Sequence, residues 1–255
     1  MKRIILTVLI VLLSLSICVA EEKKLNIVTD DWPPYEFKAG EAGNEYITGF
    51  STEVIIAVLK KMNVGINERI KQHPWARGEK MVIDGSADML YTAADNPERA
   101  KLTHYPTESL MESSWSFFIR AEDAGKLKYN SFEDLKGQKI GVVRGYSYTP
   151  ELWQFMKAEN NFEEVASDDF NVKKLVGKRF NYIIMDYGNG KSLLKNMGLS
   201  DKVVPIENPI KSISLYAIFS KNTVDKDFVD KFSAELKAFK ATQDYKAIYE
   251  KYIGK

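Results

Sequence analysis

The chain has 255 residues, 45% hydrophobic and 28% charged, which suits a globular protein with a sizeable core in one large domain or two lobes. With 36 basic against 35 acidic residues and no basic patch interleaved with aromatics, the sequence argues against a nucleic-acid-binding surface. The single cysteine, Cys18, leaves no internal disulfide to form, and His73 and His104 are too far apart in sequence to suggest a metal site.

Residues 1–20 read as a secretory signal: Lys2 and Arg3, an apolar run from Ile4 to Val19, then Ala20, after which cleavage is expected. The apolar run is shorter than the roughly 20 residues a membrane span needs. Cleavage would leave 34 basic and 35 acidic residues and no cysteine. Leu15-Ser16-Ile17-Cys18 is similar to a lipoprotein signal, but Ile17 is bulkier than the small residue such signals carry, so a lipid anchor on Cys18 is the weaker alternative.

Leu25 to Thr29 alternates as a strand and ends in Asp30-Asp31-Trp32-Pro33-Pro34-Tyr35-Glu36-Phe37, where two prolines force a turn. Trp32 and Tyr35 there either cap the core edge or wall a pocket. A helix is expected from Gly49-Phe50-Ser51, capped by Ser51 or Thr52, with Val54, Ile55, Val58, Leu59 and Met62 on one face. Ile66 to Gln72 alternates as a strand, and Pro74 opens a helix from Trp75 to Asp84 closed by Gly85. Asp88 to Tyr91 reads as a short buried strand leading into Thr92, Ala93, Ala94 and a charged turn that ends in Arg99. Ligands of open α/β sheets bind beyond the carboxyl ends of strands. The small residues let a ligand approach the backbone, and the Arg99 guanidinium offers a planar fork for a carboxylate.

Further strands are expected at Trp115 to Ile119, Lys139 to Val143, Val165, Tyr182 to Met185, Val203-Val204 and Ser212 to Phe219. Helices follow from Thr149-Pro150, over Phe170 to Val176, Tyr187 to Met197, Val224 to Phe239 and Tyr245 to Tyr252. The alternation of strands and helices predicts a parallel α/β organisation, repeated in both halves of the chain.

Several stretches, in this order, resemble the bacterial periplasmic solute-binding proteins of the polar-amino-acid ABC-transporter family. They are Thr29 to Phe37, Gly49-Phe50-Ser51-Thr52-Glu53-Val54, Gly85-Ser86-Ala87-Asp88 running on to Glu98-Arg99, Leu135 to Gly145, and Tyr182-Ile183-Ile184-Met185-Asp186. The resemblance implies a two-lobed α/β periplasmic binding protein fold (type II), its lobes joined by two hinge strands. Lobe 1 would take residues 21–112 and 213–255, and lobe 2 residues 113–212. It further implies that Arg99 grips a ligand carboxylate, assisted by Thr92, Ala94 and the Tyr146-Ser147 loop. Asp186 would accept the ligand ammonium, with Asp30, Trp32 and Trp75 around its side chain. Asp186 also stands where it would cap the helix that begins at Tyr187, and that reading remains open. Ala94, where the family often has Ser or Thr, the Pro74-Trp75-Ala76-Arg77 stretch, Asp95 and the large Tyr146 depart from the family pattern.

On this resemblance the chain is expected to be a periplasmic monomer without a cofactor. It would capture an amino acid or similar small zwitterion and deliver it to an ABC permease of the inner membrane. Two alternatives stand beside it. One is an exported dehydratase-like enzyme, for which Glu36, Asp95 and Asp186 are acid candidates by residue type. The other is a ligand sensor that docks on a membrane receptor.

Overall fold

The computed structural model describes residues 23–253, so the signal sequence, its cleavage point and Cys18 lie outside the described residues. Eight strands form the backbone of the main sheet: β1 (Ile27–Thr29), β2 (Lys71–Gln72), β3 (Met89–Ala94), β4 (Met111–Arg120), β5 (Ile140–Val143), β6 (Phe162–Val165), β7 (Tyr182–Asp186) and β8 (Lys211–Ser220). Their spatial order is β6-β5-β7-β4-β8-β3-β1-β2. β1 is parallel to β2 and β3 on one side, and β5 is parallel to β6 and β7 on the other. Strands β1, β3, β5 and β7 are buried along their whole length, as expected where helices cover both faces of a sheet.

The centre is different. Strands β4 and β8 are ten residues each and run antiparallel, Met111 opposite Leu215 and Trp115 opposite Lys211. Beyond that shared stretch β4 continues along β7 and along Val203–Pro205, while β8 continues along β3. Two long strands therefore belong to both α/β halves and join them. This is the two-lobed fold with two hinge strands. The C-terminal helices Lys226–Lys240 and Gln243–Tyr252 return to the first half. There Phe50 meets Tyr245 and Tyr249 edge-on, and Lys251 pairs with Glu53 at 2.6 Å.

Most expected elements lie within one or two residues of their predicted bounds. The helix Trp75–Asp84 begins after Pro74 and closes on Gly85 in the left-handed region, as its sequence predicts. Three expectations need correction. The helix expected from Gly49 spans Phe50–Lys61, but Ser51 and Thr52 sit inside it and Gly49 occupies the cap position without a side-chain bond. The stretch from Ile66 to Gln72 is two short strands, because Glu68 takes a positive φ of 58° and breaks the ladder. The turn ending at Arg99 is a helix, Pro97–Leu102, whose first amides at Glu98 and Arg99 donate to the Asn96 side-chain Oδ1 at 2.9 and 3.0 Å.

Gly49 carries a requirement of its own. Its φ is 120°, and a Cβ there would lie 2.4 Å from the Tyr35 carbonyl oxygen. The amide of Ser51 bonds that same carbonyl, which ties the first helix to the turn holding Trp32 and Glu36. Gly49→Ala is expected to cost about 2 kcal/mol or more, from backbone strain and overpacking together. A lowered urea midpoint with an unchanged slope checks this.

Candidate functional site

The loops leaving the carboxyl ends of β1, β3 and β5 converge with the start of the Trp75–Asp84 helix and with β4 on one small cavity between the halves. Asp30, Trp32, Glu36, Trp75, Thr92, Ala94, Arg99, Trp115, Tyr146 and Ser147 line it. Of the sequence-predicted ligand residues, all but Asp186 lie on this cavity. Glu36 and Trp115 join them. Glu36 stood in the sequence only as an acid by type, and Trp115 as a strand residue, because neither shows its direction in one dimension.

Four aromatic rings make the walls. Trp32 lies 6.0 Å from Trp115 and 5.9 Å from Tyr146, centroid to centroid, and Trp75 meets Tyr146 edge-on at 6.2 Å. Tyr146 reaches across the cleft, its hydroxyl 3.4 Å from Asp30 Oδ2 and 3.3 Å from Asp168 Oδ2. Trp32 Nε1 donates to the same Asp168 oxygen at 3.0 Å. Asp168 is the residue that sequence reading missed. Its signal was its place after Ser167 at a helix start, which many solvated aspartates share.

Arg99 is 3% exposed, and all of its nitrogens are engaged within the protein. Nε donates to Glu79 Oε1 at 2.5 Å; Nη1 donates to the Ala94 carbonyl and Tyr105 hydroxyl at 2.9 and 3.1 Å. Nη2 crosses the cleft to Ser147 Oγ at 3.1 Å and the Gly145 carbonyl at 3.4 Å. Asn96 Nδ2 reaches the same Ser147 hydroxyl at 2.6 Å. The guanidinium is thus paired with Glu79 and links the two halves.

Asp186 is completely buried and lies off the cavity. It accepts from the Asn189 amide at 2.9 Å as the cap of the Tyr187–Asn196 helix, from the Tyr35 hydroxyl at 2.7 Å and from the Ser113 hydroxyl. Tyr35 comes from the first half and passes close over Gly188, where a Cβ would meet its hydroxyl oxygen at 2.5 Å. The carboxylate is occupied by protein donors on every side the structure shows.

The electrostatics follow from burial. Withdrawal from water lifts the Asp30 carboxyl to about 7, and the neighbouring Asp31 charge adds to this. Burial and then repulsion from Asp30 lift Asp168 to about 8, against the hydrogen bonds from Trp32 and Tyr146. Glu36 is pushed well above the carboxylate range by burial, although Thr92 Oγ1 donates to its Oε2 at 2.6 Å. Thr92 holds a φ of 64°, unusual for a β-branched residue, and strain of this kind concentrates at functional sites. Among the described residues no cluster of three or more potential metal ligands is present, and no helix is long and apolar enough to cross a membrane.

Residues 25–255 match the family described as bacterial extracellular solute-binding proteins, family 3. No curated protein matches the chain significantly. Solved structures similar in fold include a histidine kinase sensor domain with similarity to periplasmic binding proteins, with a TM-score of 0.78, 19% identity and coverage of 91% of this chain and 97% of that one. The substrate-binding protein of an amino acid ABC transporter superposes with a TM-score of 0.72 at 21% identity, over 90% and 99% of the two chains. An ancestral amino-acid-binding protein, a precursor of cyclohexadienyl dehydratase, gives 0.73 at 21% identity, over 90% and 94%.

Two outcomes are expected from this geometry. The carboxyls of Asp30 and Asp168, raised from 3.8 to about 7 and about 8, hold protons that the unfolded chain has lost. The stability they contribute is complete below about pH 4 and is lost as pH rises through about 7 to 8. The melting temperature should therefore fall by several degrees between pH 5 and pH 8.5, at about 2–4 °C per kcal/mol. Asp168→Asn, which keeps an acceptor for Trp32 and Tyr146, should flatten that slope. Separately, Asp186→Ala would orphan the Asn189 amide and leave the Tyr35 hydroxyl only its longer bond to Ser113, and should cost about 1–3 kcal/mol, read as a lowered urea midpoint.

Proposed function

The chain belongs to the bacterial extracellular solute-binding proteins of family 3, and from that premise we propose that it captures a small ammonium-bearing solute, such as an amino acid or similar small zwitterion, between two closing lobes. On this reading it is a binder rather than an enzyme. It is exported to the periplasm by residues 1–20, acts as a monomer and hands its ligand to an ABC permease. Lobe 1 would be residues 21–112 with 213–255, and lobe 2 residues 113–212.

One observation carries the proposal. The residues on the cavity come from both sides of the hinge strands, and polar contacts cross the cleft directly. Arg99 meets Ser147, Trp32 meets Asp168, Tyr146 meets Asp30, and Asn189 Nδ2 donates to the Pro33 carbonyl at 2.8 Å. A ligand seated among Asp30, Trp32, Trp75, Thr92, Ala94, Arg99, Tyr146 and Ser147 touches both lobes, and differential contact of that kind favours the closed state. Thin connections between lobes permit the movement.

Small-angle scattering with and without ligand tests the closing step. Ligands found by a thermal-shift screen of amino acids, polyamines and small carboxylates should stabilise by about 2.7 kcal/mol at a hundred times their dissociation constant. They should also shrink the radius of gyration. A screen in which no small solute stabilises the protein overturns the proposal. Arg99→Ala removes the bonds to Gly145 and Ser147 and leaves Glu79 unpaired, so it should weaken any such ligand at least tenfold, about 1.4 kcal/mol by calorimetry.

A further inference from the structure

Three features of the cavity meet at one ligand chemistry. The first is charge. Glu36 and Asp30 both line the cavity and both are withdrawn from water, at 0% and 8% exposure. Among the described residues the one buried cation beside them, Arg99, is neutralised by Glu79 and engaged at every nitrogen. A carboxylate brought in by a ligand would be the third carboxyl group on the cavity, with no free guanidinium to receive it.

The second feature is unfilled bonding capacity. Glu36 is fully buried, yet its Oε1 has no hydrogen-bond partner, while Oε2 takes the Thr92 hydroxyl. Trp75 Nε1, on the same cavity, is a buried donor without a partner. An orphaned carboxyl oxygen asks for a donor, and a lone indole N–H asks for one acceptor.

The third is the wall. Trp32, Trp75, Trp115 and Tyr146 surround the space with aromatic faces and edges. Aromatic rings attract organic cations, and the attraction grows as water is removed. Tyr146 also keeps the space small.

We propose that the preferred ligand is a compact organic ammonium ion that carries no carboxylate, its cationic head held by Glu36 and Asp30 inside the aromatic walls. This rests on the reading of the cleft as a ligand site and narrows its ligand class. A neutral hydroxyl on the ligand would meet Trp75 Nε1. Arg99 then serves as the bond between the lobes, not as a clamp on the ligand.

Calorimetry with matched probes decides it. Ethanolamine is set against glycine and ethylene glycol, and choline against glycine betaine and 3,3-dimethylbutan-1-ol. At least one amine should bind ten times or more tightly than both its carboxylate and its neutral counterparts. Glu36→Gln keeps the Thr92 bond and removes the carboxyl that can ionise against a bound ammonium, and should weaken that amine at least tenfold. Asp30→Asn gives the same reading if the first variant melts early. Glycine or glycine betaine binding as well as its amine overturns the proposal, as does unchanged amine affinity in a folded variant. If none of the six probes binds while another small solute closes the lobes, this inference fails and the solute-binding reading stands. If no small solute closes them, both fail.

Discussion

The arrangement of the two halves depends on carboxyl groups held away from water in the seam between them. Asp30 and Glu36 come from one side, Asp168 and Asp186 from the other, and all four are buried. Burying a carboxylate is costly unless protons, hydrogen bonds or a cation compensate. Here part of the compensation is hydrogen bonding from across the seam. Tyr146 joins Asp30 to Asp168, Trp32 reaches Asp168, and Tyr35 reaches Asp186. The bonds Tyr146 to Asp30, Trp32 to Asp168 and Tyr35 to Asp186 join the two halves, whereas Tyr146 to Asp168 lies within one of them.

The guanidinium of Arg99 illustrates how a neighbour sets a residue's role. Fork geometry suits it to a carboxylate, and it does hold one, but that carboxylate is Glu79 on the Trp75–Asp84 helix. Its remaining donors satisfy the Ala94 carbonyl and reach over to Ser147. Removing either partner of such a buried pair would leave the other uncompensated, which explains why the pair is bound so closely into the packing around Trp75, whose ring lies 5.1 Å from the guanidinium carbon.

Backbone strain and close packing place the rest. Thr92 in the left-handed region turns its hydroxyl onto Glu36 at the end of β3, where a bulge interrupts the pairing with β8 between Tyr216 and Ile218. Gly49 allows the first helix to start against the Tyr35 carbonyl. Trp115, on a strand shared by both halves, donates from Nε1 to the Ser147 carbonyl at 2.9 Å and fixes the lobe-2 loop beside the cavity. The hinge strand itself thus contributes a wall to the cavity.

The sequence by itself determined the elements and the line-up of loops. Apolar periodicity, the prolines before Trp75 and at Pro150, and Gly85 mark helices that the structure places within one or two residues. Thr92 and Ala94 could be placed near a cleft because loops at strand ends carry ligands in α/β folds, and Tyr146 and Ser147 through the family resemblance. Only the tertiary structure decided which polar groups face which. Asp186 turns from the cavity to the Tyr35 hydroxyl, which lies 151 residues away in the chain. Asp168 enters through Trp32, 136 residues distant, and Glu36 points inward to Thr92 across 56. Periodicity reports on burial and on local bonds within a turn or a strand. Partners that meet across a seam leave no such period, because their pairing arises between two halves built from separate stretches of chain.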